Sequence, residues 1–179
     1  MTRFPIRKAI VVLTAALLLA GCSLTEPIPV RGKVVDCLEI KSVPSTDTPL
    51  ECLAGGEPIS VDSIRGPAII NVWGTWCAPC RQELPHFGHL LAKHGDKVDV
   101  IGIAVEEKSQ TAVKKFVKTH GITWPILYDG TGSTQEKFGP GVPVTAFINK
   151  SGKVVYTRYG AFQSTEELEL ATIKYLGVK

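Results

Sequence analysis

The fold is decided by residues 68–80, AIINVWGTWCAPC, in which an apolar run leads directly into two cysteines. The run Ala68–Trp73 is interrupted only by Asn71, a pattern typical of a central strand that is buried on both faces. A helix is predicted to follow from Ala78 to His94, and Pro85 within it is expected to produce a kink. The stretch therefore predicts a buried strand that turns at once into a helix.

The two cysteines of this stretch stand where such a turn favours redox chemistry. Cys77 falls at the helix N-terminus, where unpaired N–H groups and the helix dipole favour a thiolate over a thiol. Cys80 lies one helical turn further on, close enough to form a disulfide without movement of the backbone. We predict that Cys77 is exposed and attacks a partner, and that Cys80 resolves the product. An inert structural disulfide is the alternative.

Apolar periodicity outside this stretch predicts an alternation of strands and helices. The predicted strands are Val34–Ile40, Glu51–Leu53, Pro58–Ser60, Val98–Val105, Pro125–Tyr128, Val144–Asn149 and Val154–Arg158. The predicted helical segments are Val61–Arg65, Ser109–His120, Ser133–Phe138 and Ser164–Leu176. Two capping boxes are predicted, Ser133 with Glu136 and Ser164 with Glu167. The order predicts an α/β fold, with a mixed central sheet, helices on both faces and an N-terminal β-hairpin extension.

The N-terminus has the pattern of an export signal with an anchor. Met1–Lys8 is basic, and Ala9–Ala20 is apolar but, at twelve residues, shorter than the roughly 20 that span a bilayer. A short buried helix is the alternative. Leu19-Ala20-Gly21-Cys22 resembles the bacterial lipobox, in which the cysteine is lipidated and becomes the first residue. The predicted divisions are a signal peptide at 1–21, a lipidated tether at 22–33 and one domain at 34–179.

The charge of the chain is balanced once the signal is set aside. The net charge is +3, and Arg3, Arg7 and Lys8 account for it, leaving 17 basic and 17 acidic residues. A neutral mature chain gives no electrostatic argument for binding to nucleic acid or to an anionic membrane surface. The composition also lacks repeats and low-complexity tracts, which excludes solenoids and disorder.

The five cysteines suit an oxidising compartment. If Cys22 is lipidated and the C-x-x-C cysteines pair with each other, Cys37 and Cys52 remain. Between them lies Lys41–Leu50, rich in Ser, Thr and Pro, which is typical of a surface loop. A structural disulfide that closes this loop is the first interpretation. Two free thiols and a second redox pair are the alternatives.

Other polar residues are predicted to have no chemical role. His86, His89 and His94 are expected at the surface of the helix. Glu106-Glu107 is interpreted as a solvated strand end, with a place beside the cysteines as the alternative. A zinc site made by the C-x-x-C and His86 is not favoured, because the surroundings of Cys77 indicate redox chemistry. No metal and no cofactor are predicted.

From about Leu50 to Lys179 the chain resembles the TlpA/ResA type of membrane-tethered thiol–disulfide oxidoreductase, which has a three-layer thioredoxin-like fold. Gly74–Pro85, GTWCAPCRQELP, matches that family's C-x-x-C-x-x-E-x-P motif, and Gly141–Ile148, GVPVTAFI, matches its G-V-P-x-T-x-F-[IL]. In the family the proline at Pro143 is cis and faces the active-site disulfide. The resemblance therefore implies that Pro143 belongs to the catalytic site.

The resemblance also implies roles for three further residues. Glu83 is similar to the family's buried acid that manages protons near the thiols; a solvated carboxylate is the alternative. Trp76 is expected beside the sulfurs, shaping a docking surface, rather than in the plain core. The backbone of Val142 is expected to pair with an extended substrate, rather than Val142 acting as a filler.

The expected function is reduction of partner disulfides on the extracytoplasmic face of the cell membrane. In the family the common substrate is apocytochrome c, with electrons from a membrane thiol-transfer protein. The alternatives are donation of a disulfide to folding exported proteins and, less favoured, a metal- or haem-handling module. The protein is expected to act as a monomer, to be attached to the membrane by its lipid and to bind no nucleic acid.

Overall fold

The computed structural model describes residues 31–178. The predicted signal peptide, Cys22 and most of the tether lie outside the described residues, so the predicted domain boundaries stay a prediction. The strands are β1 Pro49–Cys52, β2 Ile59–Ser60, β3 Ala68–Trp73, β4 Asp99–Val105, β5 Ile126–Asp129, β6 Val144–Ile148 and β7 Val154–Tyr159. The helices are α1 Ala78–His94, α2 Gln110–Thr119, α3 Gln135–Phe138 and α4 Thr165–Leu176, with a 3₁₀ turn at Val61–Ser63. Within the described part, no helix is long and apolar enough to cross a membrane.

The strands form one mixed sheet in the order β2-β1-β5-β4-β3-β6-β7. Strands β3, β4 and β5 are parallel, while β6 and β7 continue the sheet antiparallel on one side and β1 and β2 on the other. The predicted α/β fold with a mixed sheet and an N-terminal hairpin is therefore confirmed.

The two faces of the sheet are covered unequally. The crossovers β3-α1-β4 and β4-α2-β5 step in the same direction, so the right-handed rule places α1 and α2 on one face. Phe87 of α1, Val117 of α2 and Leu168 of α4 share one buried cluster there. The opposite face is covered by α3, the 3₁₀ turn and the N-terminal segment, which contribute Phe138 and Cys37 to a second cluster. Helices thus lie on both faces, but the long ones lie on one.

The predicted strand at Val34–Ile40 is wrong. This segment is irregular and ends in a turn in which the Ile40 N–H donates to the Cys37 carbonyl. Strand β1 already has β2 and β5 as its neighbours, so the sheet offers it no edge there. Cys37 and Ile40 instead pack on the sheet face, where they are buried, whereas Leu38 is 85% exposed.

The two predicted capping boxes have different outcomes. The Ser164 hydroxyl accepts the N–H of Glu167, as predicted, although the Glu167 carboxylate reaches back to Gln163. The box of Ser133 with Glu136 is wrong, because α3 begins only at Gln135. The Ser133 hydroxyl donates instead to the buried Asp129 carboxylate, 3.0 Å away.

The prediction for α1 holds at both of its ends. It runs from Ala78 to His94 as one helix and continues through Pro85, so the kink stays a prediction. Cys77 is its N-cap, directly after β3. The sheet thus delivers the two cysteines to the carboxyl end of its central strand.

Candidate active site

The cysteine pair forms a disulfide at the N-terminus of α1. Cys77 and Cys80 are bonded, and the backbone N–H of Cys80 donates to Cys77 Sγ over 3.1 Å. In this form Cys77 is only 4% exposed and Cys80 is fully buried, so the predicted exposure of Cys77 is wrong. The reason is that both residues pack in the core cluster shared with α1. The small difference in access still puts Cys77 on the outer side of the pair.

Glu83 lies one turn beyond Cys80 on α1 and is fully buried. Its Oε1 accepts from Asn71 Nδ2 at 2.8 Å, and its Oε2 accepts from the Phe162 N–H at 3.0 Å. Burial raises the pKa of the Glu83 carboxyl from 4.5 to about 7, against the opposing effect of these hydrogen bonds and of Arg158. The interpretation of Glu83 as a solvated carboxylate is therefore wrong, and near neutral pH it can hold or release a proton.

Asn71 is the side-chain hydrogen-bond partner of Glu83. It lies in the middle of β3 and is buried, and its Oδ1 has no hydrogen-bond partner among residues 31–178. A half-turn of the amide would present Oδ1 to Glu83, where the protonated carboxyl could donate to it. Asn71 can therefore serve either charge state of Glu83. In the sequence it stands out only as the one polar residue of an apolar run.

The raised pKa of Glu83 predicts a fall in stability with rising pH. An unfolded chain releases this proton near pH 4.5, whereas the native chain keeps it to about pH 7, so the unfolded state binds fewer protons between these values. At about 1.4 kcal/mol per pKa unit, Glu83→Gln should gain about 3 kcal/mol in unfolding free energy relative to wild type across this window. Denaturant unfolding at a series of pH values measures the difference.

The matched control for this experiment is Glu57→Gln, which changes an exposed carboxyl between β1 and β2. Its stability curve should run parallel to that of the wild type over the same pH range. If the curve of Glu83→Gln also runs parallel to the wild type, the carboxyl does not hold its proton as described.

Glu107 belongs to the site, a place that the sequence interpretation gave to the Glu106-Glu107 pair only as the alternative. It is 7% exposed, and its carboxylate accepts both the N–H and the hydroxyl of Thr75, the hydroxyl at 2.8 Å. Arg81 Nη1 donates to the Thr75 carbonyl at 3.0 Å, so both ends of Thr75 are held two residues before Cys77. The interpretation as a solvated strand end is right for Glu106, which is exposed, and wrong for Glu107.

The backbone explains why the two neighbouring acids separate. Glu106 has φ of +53°, the left-handed region that non-glycine residues rarely adopt. At this turn after β4 the two side chains diverge. Glu106 accepts a hydrogen bond from Gln135, and Glu107 accepts one from Thr75. No sequence pattern predicts a glutamate with positive φ, so the sequence could not decide which of the two acids faces inward.

Two other residues of the predicted site, Trp76 and Val142, line a small groove, and the third, Pro143, directly follows Val142. Trp76 is 53% exposed, which makes the plain-core alternative wrong. The Val142–Pro143 peptide bond is cis. Val142 is half-buried and lines the groove together with Trp76, and its backbone makes no hydrogen bond to the rest of residues 31–178. A docking role for these residues stays a prediction.

The histidines make only structural contacts. Nδ1 of His86 and of His89 face the Thr165 hydroxyl at 3.1 and 3.3 Å, and burial followed by the charge of His89 lowers the pKa of His86. His94 is buried, contrary to the expectation of a surface position, because its Nε2 pairs with Glu169 across the α1–α4 interface. Residues 31–178 contain no cluster of three or more His, Cys, Asp or Glu side chains suited to a metal.

The geometry of the site agrees with comparisons to known proteins. The Redoxin family model matches residues 39–174. The chain belongs to the Redoxin family. Within it, the thiol-disulfide oxidoreductase ResA of Bacillus anthracis is 35% identical over 117 residues, 64% of this chain. The thioredoxin-like protein YneN of Bacillus subtilis is 30% identical over 67% of this chain and 72% of its own length. This Redoxin-family chain spans 66% of the length of the ResA relatives it matches.

Solved structures agree with the fold of this Redoxin-family chain. StoA from Bacillus subtilis superimposes with a TM-score of 0.59 at 27% identity, covering 73% of this chain and 98% of StoA. A DsbF homologue from Corynebacterium diphtheriae has a TM-score of 0.61 at 29% identity, covering 81% of this chain and 94% of its own. The predicted resemblance to the TlpA/ResA type is confirmed.

Proposed function

We propose that the protein is an extracytoplasmic thiol–disulfide oxidoreductase that reduces disulfides in partner proteins. The observation that carries the proposal is the Cys77–Cys80 disulfide at the N-terminus of α1, with the Cys80 N–H directed at Cys77 Sγ. A helix N-terminus stabilises the negative charge of a thiolate, which is the attacking species in disulfide exchange.

The reduced form would act in two steps that balance in atoms and electrons. The Cys77 thiolate attacks one sulfur of a partner disulfide, the partner S–S bond breaks, and the other partner sulfur leaves as a thiolate. The Cys80 thiolate then attacks Cys77 Sγ, which re-forms the Cys77–Cys80 bond and releases the partner's second thiolate. Two electrons pass from the protein to the partner.

Glu83 is the proposed partner for the Cys80 proton. Cys80 must lose its proton before the second step, and Glu83, which is also fully buried, lies one turn from it on α1. With a pKa raised by burial to about 7, the Glu83 carboxyl can exchange a proton near neutral pH, which an ordinary glutamate cannot.

The charges around the disulfide favour a reductant. The side chains of Ala78 and Pro79, between the cysteines, provide no charge or hydrogen-bond donor that would stabilise the thiolate beyond what the helix backbone supplies. Glu107 brings a buried carboxylate to this end of the sheet, and Glu83 adds a second negative charge as it loses its proton near pH 7; negative charge nearby disfavours a thiolate. A less stabilised reduced form gives up its electrons more readily.

The proposed cellular setting rests on the resemblance and on the lipobox-like residues Leu19–Cys22, which lie outside the described part. The chain is proposed to be held at the extracytoplasmic face of the membrane by a lipid on Cys22. Disulfides in apocytochrome c are the proposed substrate class, with electrons supplied to the protein by a membrane thiol-transfer protein.

The reduction potential of the Cys77/Cys80 pair tests the direction of electron flow. We expect a value near that of thioredoxin, about −270 mV, measured by equilibration with glutathione or dithiothreitol buffers. A value near −120 mV would reverse the direction and make the protein a disulfide donor. Failure to exchange with any peptide disulfide would overturn the oxidoreductase function itself.

A further inference from the structure

A basic groove lies where the described chain begins. It has a volume of about 830 Å³ and is lined by Arg31, Lys33, Val34, Ala54, Lys114 and Lys118, among others. Among residues 31–178 no acidic side chain lines it, and its four cations form no ion pair with any other residue of that range. A local cluster of four positive charges therefore exists in a domain whose overall charge is balanced.

Backbone hydrogen bonds hold the segment that carries Arg31 and Lys33 beside α2. The Gly32 N–H donates to the Lys118 carbonyl at 3.1 Å, and the Lys33 N–H donates to the Ile122 carbonyl at 2.9 Å. A Cβ at Gly32 would stand 1.9 Å from the Val117 carbonyl oxygen, so only glycine allows this close approach. Arg31 and Lys33 are thus held against the helix that carries the two lysines.

The groove lies at the end of the sheet away from the disulfide. Cys77 and Glu107 follow the carboxyl ends of β3 and β4. Helix α2 starts near that end and runs back, so that Lys118 in its last turn reaches the opposite end. Ala54 is there too, because Leu53 bonds to Ile126 at the start of β5. A surface that contacts the groove would leave the disulfide facing away.

We propose that this groove binds the phosphate headgroups of anionic phospholipids and holds the domain on the membrane with its disulfide pointing outward. Arg31 lies nine positions after Cys22, a span of at most about 30 Å even when fully extended. A lipid on Cys22 would therefore keep the cations close to the headgroups. Each basic residue near an anionic surface adds attraction that decays within a Debye length. The inference rests on the extracytoplasmic tether of the proposed function.

The test compares the access of lysines in the full chain on two kinds of vesicle. A membrane-impermeant amine reagent labels the protein on vesicles of phosphatidylcholine and on vesicles with phosphatidylglycerol added. We expect Lys33, Lys114 and Lys118 to label about fivefold more slowly on the anionic vesicles. Lys108, exposed beside Glu107 at the disulfide end, is the internal control and should change less than about twofold.

A variant isolates the contribution of the groove. In Lys114→Gln/Lys118→Gln the protection of Lys33 should be lost, and high salt should abolish it in the wild type. Equal labelling of the groove lysines on both vesicles overturns the proposal, as does protection by inorganic phosphate on phosphatidylcholine alone, which would indicate a site for free phosphate. Exchange of a peptide disulfide, measured on the same vesicles, reports separately on the proposed function.

Discussion

Replacing Cys80 by serine should convert a transient encounter into a stable adduct. The attack by Cys77 needs only its own thiolate, whereas release of the partner needs Cys80. Cys80→Ser should therefore abolish turnover and accumulate mixed disulfides between Cys77 and partner proteins. Non-reducing gels of cells that express the variant should show these as bands that disappear on reduction, and their composition identifies the substrates.

Cys77→Ser is the matched control for this trap. It also abolishes turnover, but it should accumulate no adduct, because the fully buried Cys80 is not accessible to a folded partner. If Cys77→Ser captures the same bands and Cys80→Ser does not, the two roles are exchanged. If neither variant captures a protein while peptide exchange by the wild type is normal, the substrates are not proteins with accessible disulfides.

The parts of this site that lie close together in the sequence could be predicted from it. A strand, a turn and a helix follow one another from Ala68 to His94, and their bounds were predicted as they are found. Helical spacing also places Glu83 one turn from Cys80. Its partner Phe162 lies 79 residues away, and the pairing depends on the loop after β7, which no local pattern specifies. The position of Pro143 likewise came only from the resemblance.

The net charge of the chain does not reveal the basic groove, because the groove forms only when distant segments meet in the fold. The predicted mature chain has equal numbers of basic and acidic residues, and this balance gives no argument for binding to an anionic membrane surface. The structure brings residues 31–33 beside the last two turns of α2, more than 80 positions along the chain, and thus concentrates cations that the count spreads out. Charge composition gives the net charge of the whole chain, whereas the charge of a groove depends on which residues the fold brings together.

The second disulfide is buried on the opposite face of the sheet from the active pair. Cys37 and Cys52 are bonded, and both lie in the cluster that contains Phe138 rather than the one that contains Cys77. Cys37 is 6% and Cys52 3% exposed. Burial alone does not distinguish the two bonds, since Cys77 is only 4% exposed, but the sheet stands between this bond and the active pair, and neither Cys37 nor Cys52 lies at a helix N-terminus. These observations favour a structural bond over a second redox pair.

Removal of this bond should lower stability and leave the chemistry intact. The bond closes a loop of 15 residues, whose release costs about 3 kcal/mol in the chain-entropy model. We expect Cys37→Ser/Cys52→Ser to lose about that much unfolding free energy in denaturant titrations. Peptide disulfide exchange, assayed below the melting range of the variant, should stay close to wild type, because Cys77, Cys80 and Glu83 pack on the other face.

Comparing two substituents separates the contribution of the disulfide to stability from the cost of burying new polar groups. Serine leaves two buried hydroxyls that find few partners, which adds its own cost. Cys37→Ala/Cys52→Ala avoids these hydroxyls and should lose less stability than the serine variant, while still losing the contribution of the closed loop. Equal stability of the alanine variant and the wild type would contradict the role of the bond as a constraint. A variant that unfolds cooperatively but no longer exchanges disulfides would instead make Cys37 and Cys52 a second redox pair that relays electrons to Cys77 and Cys80.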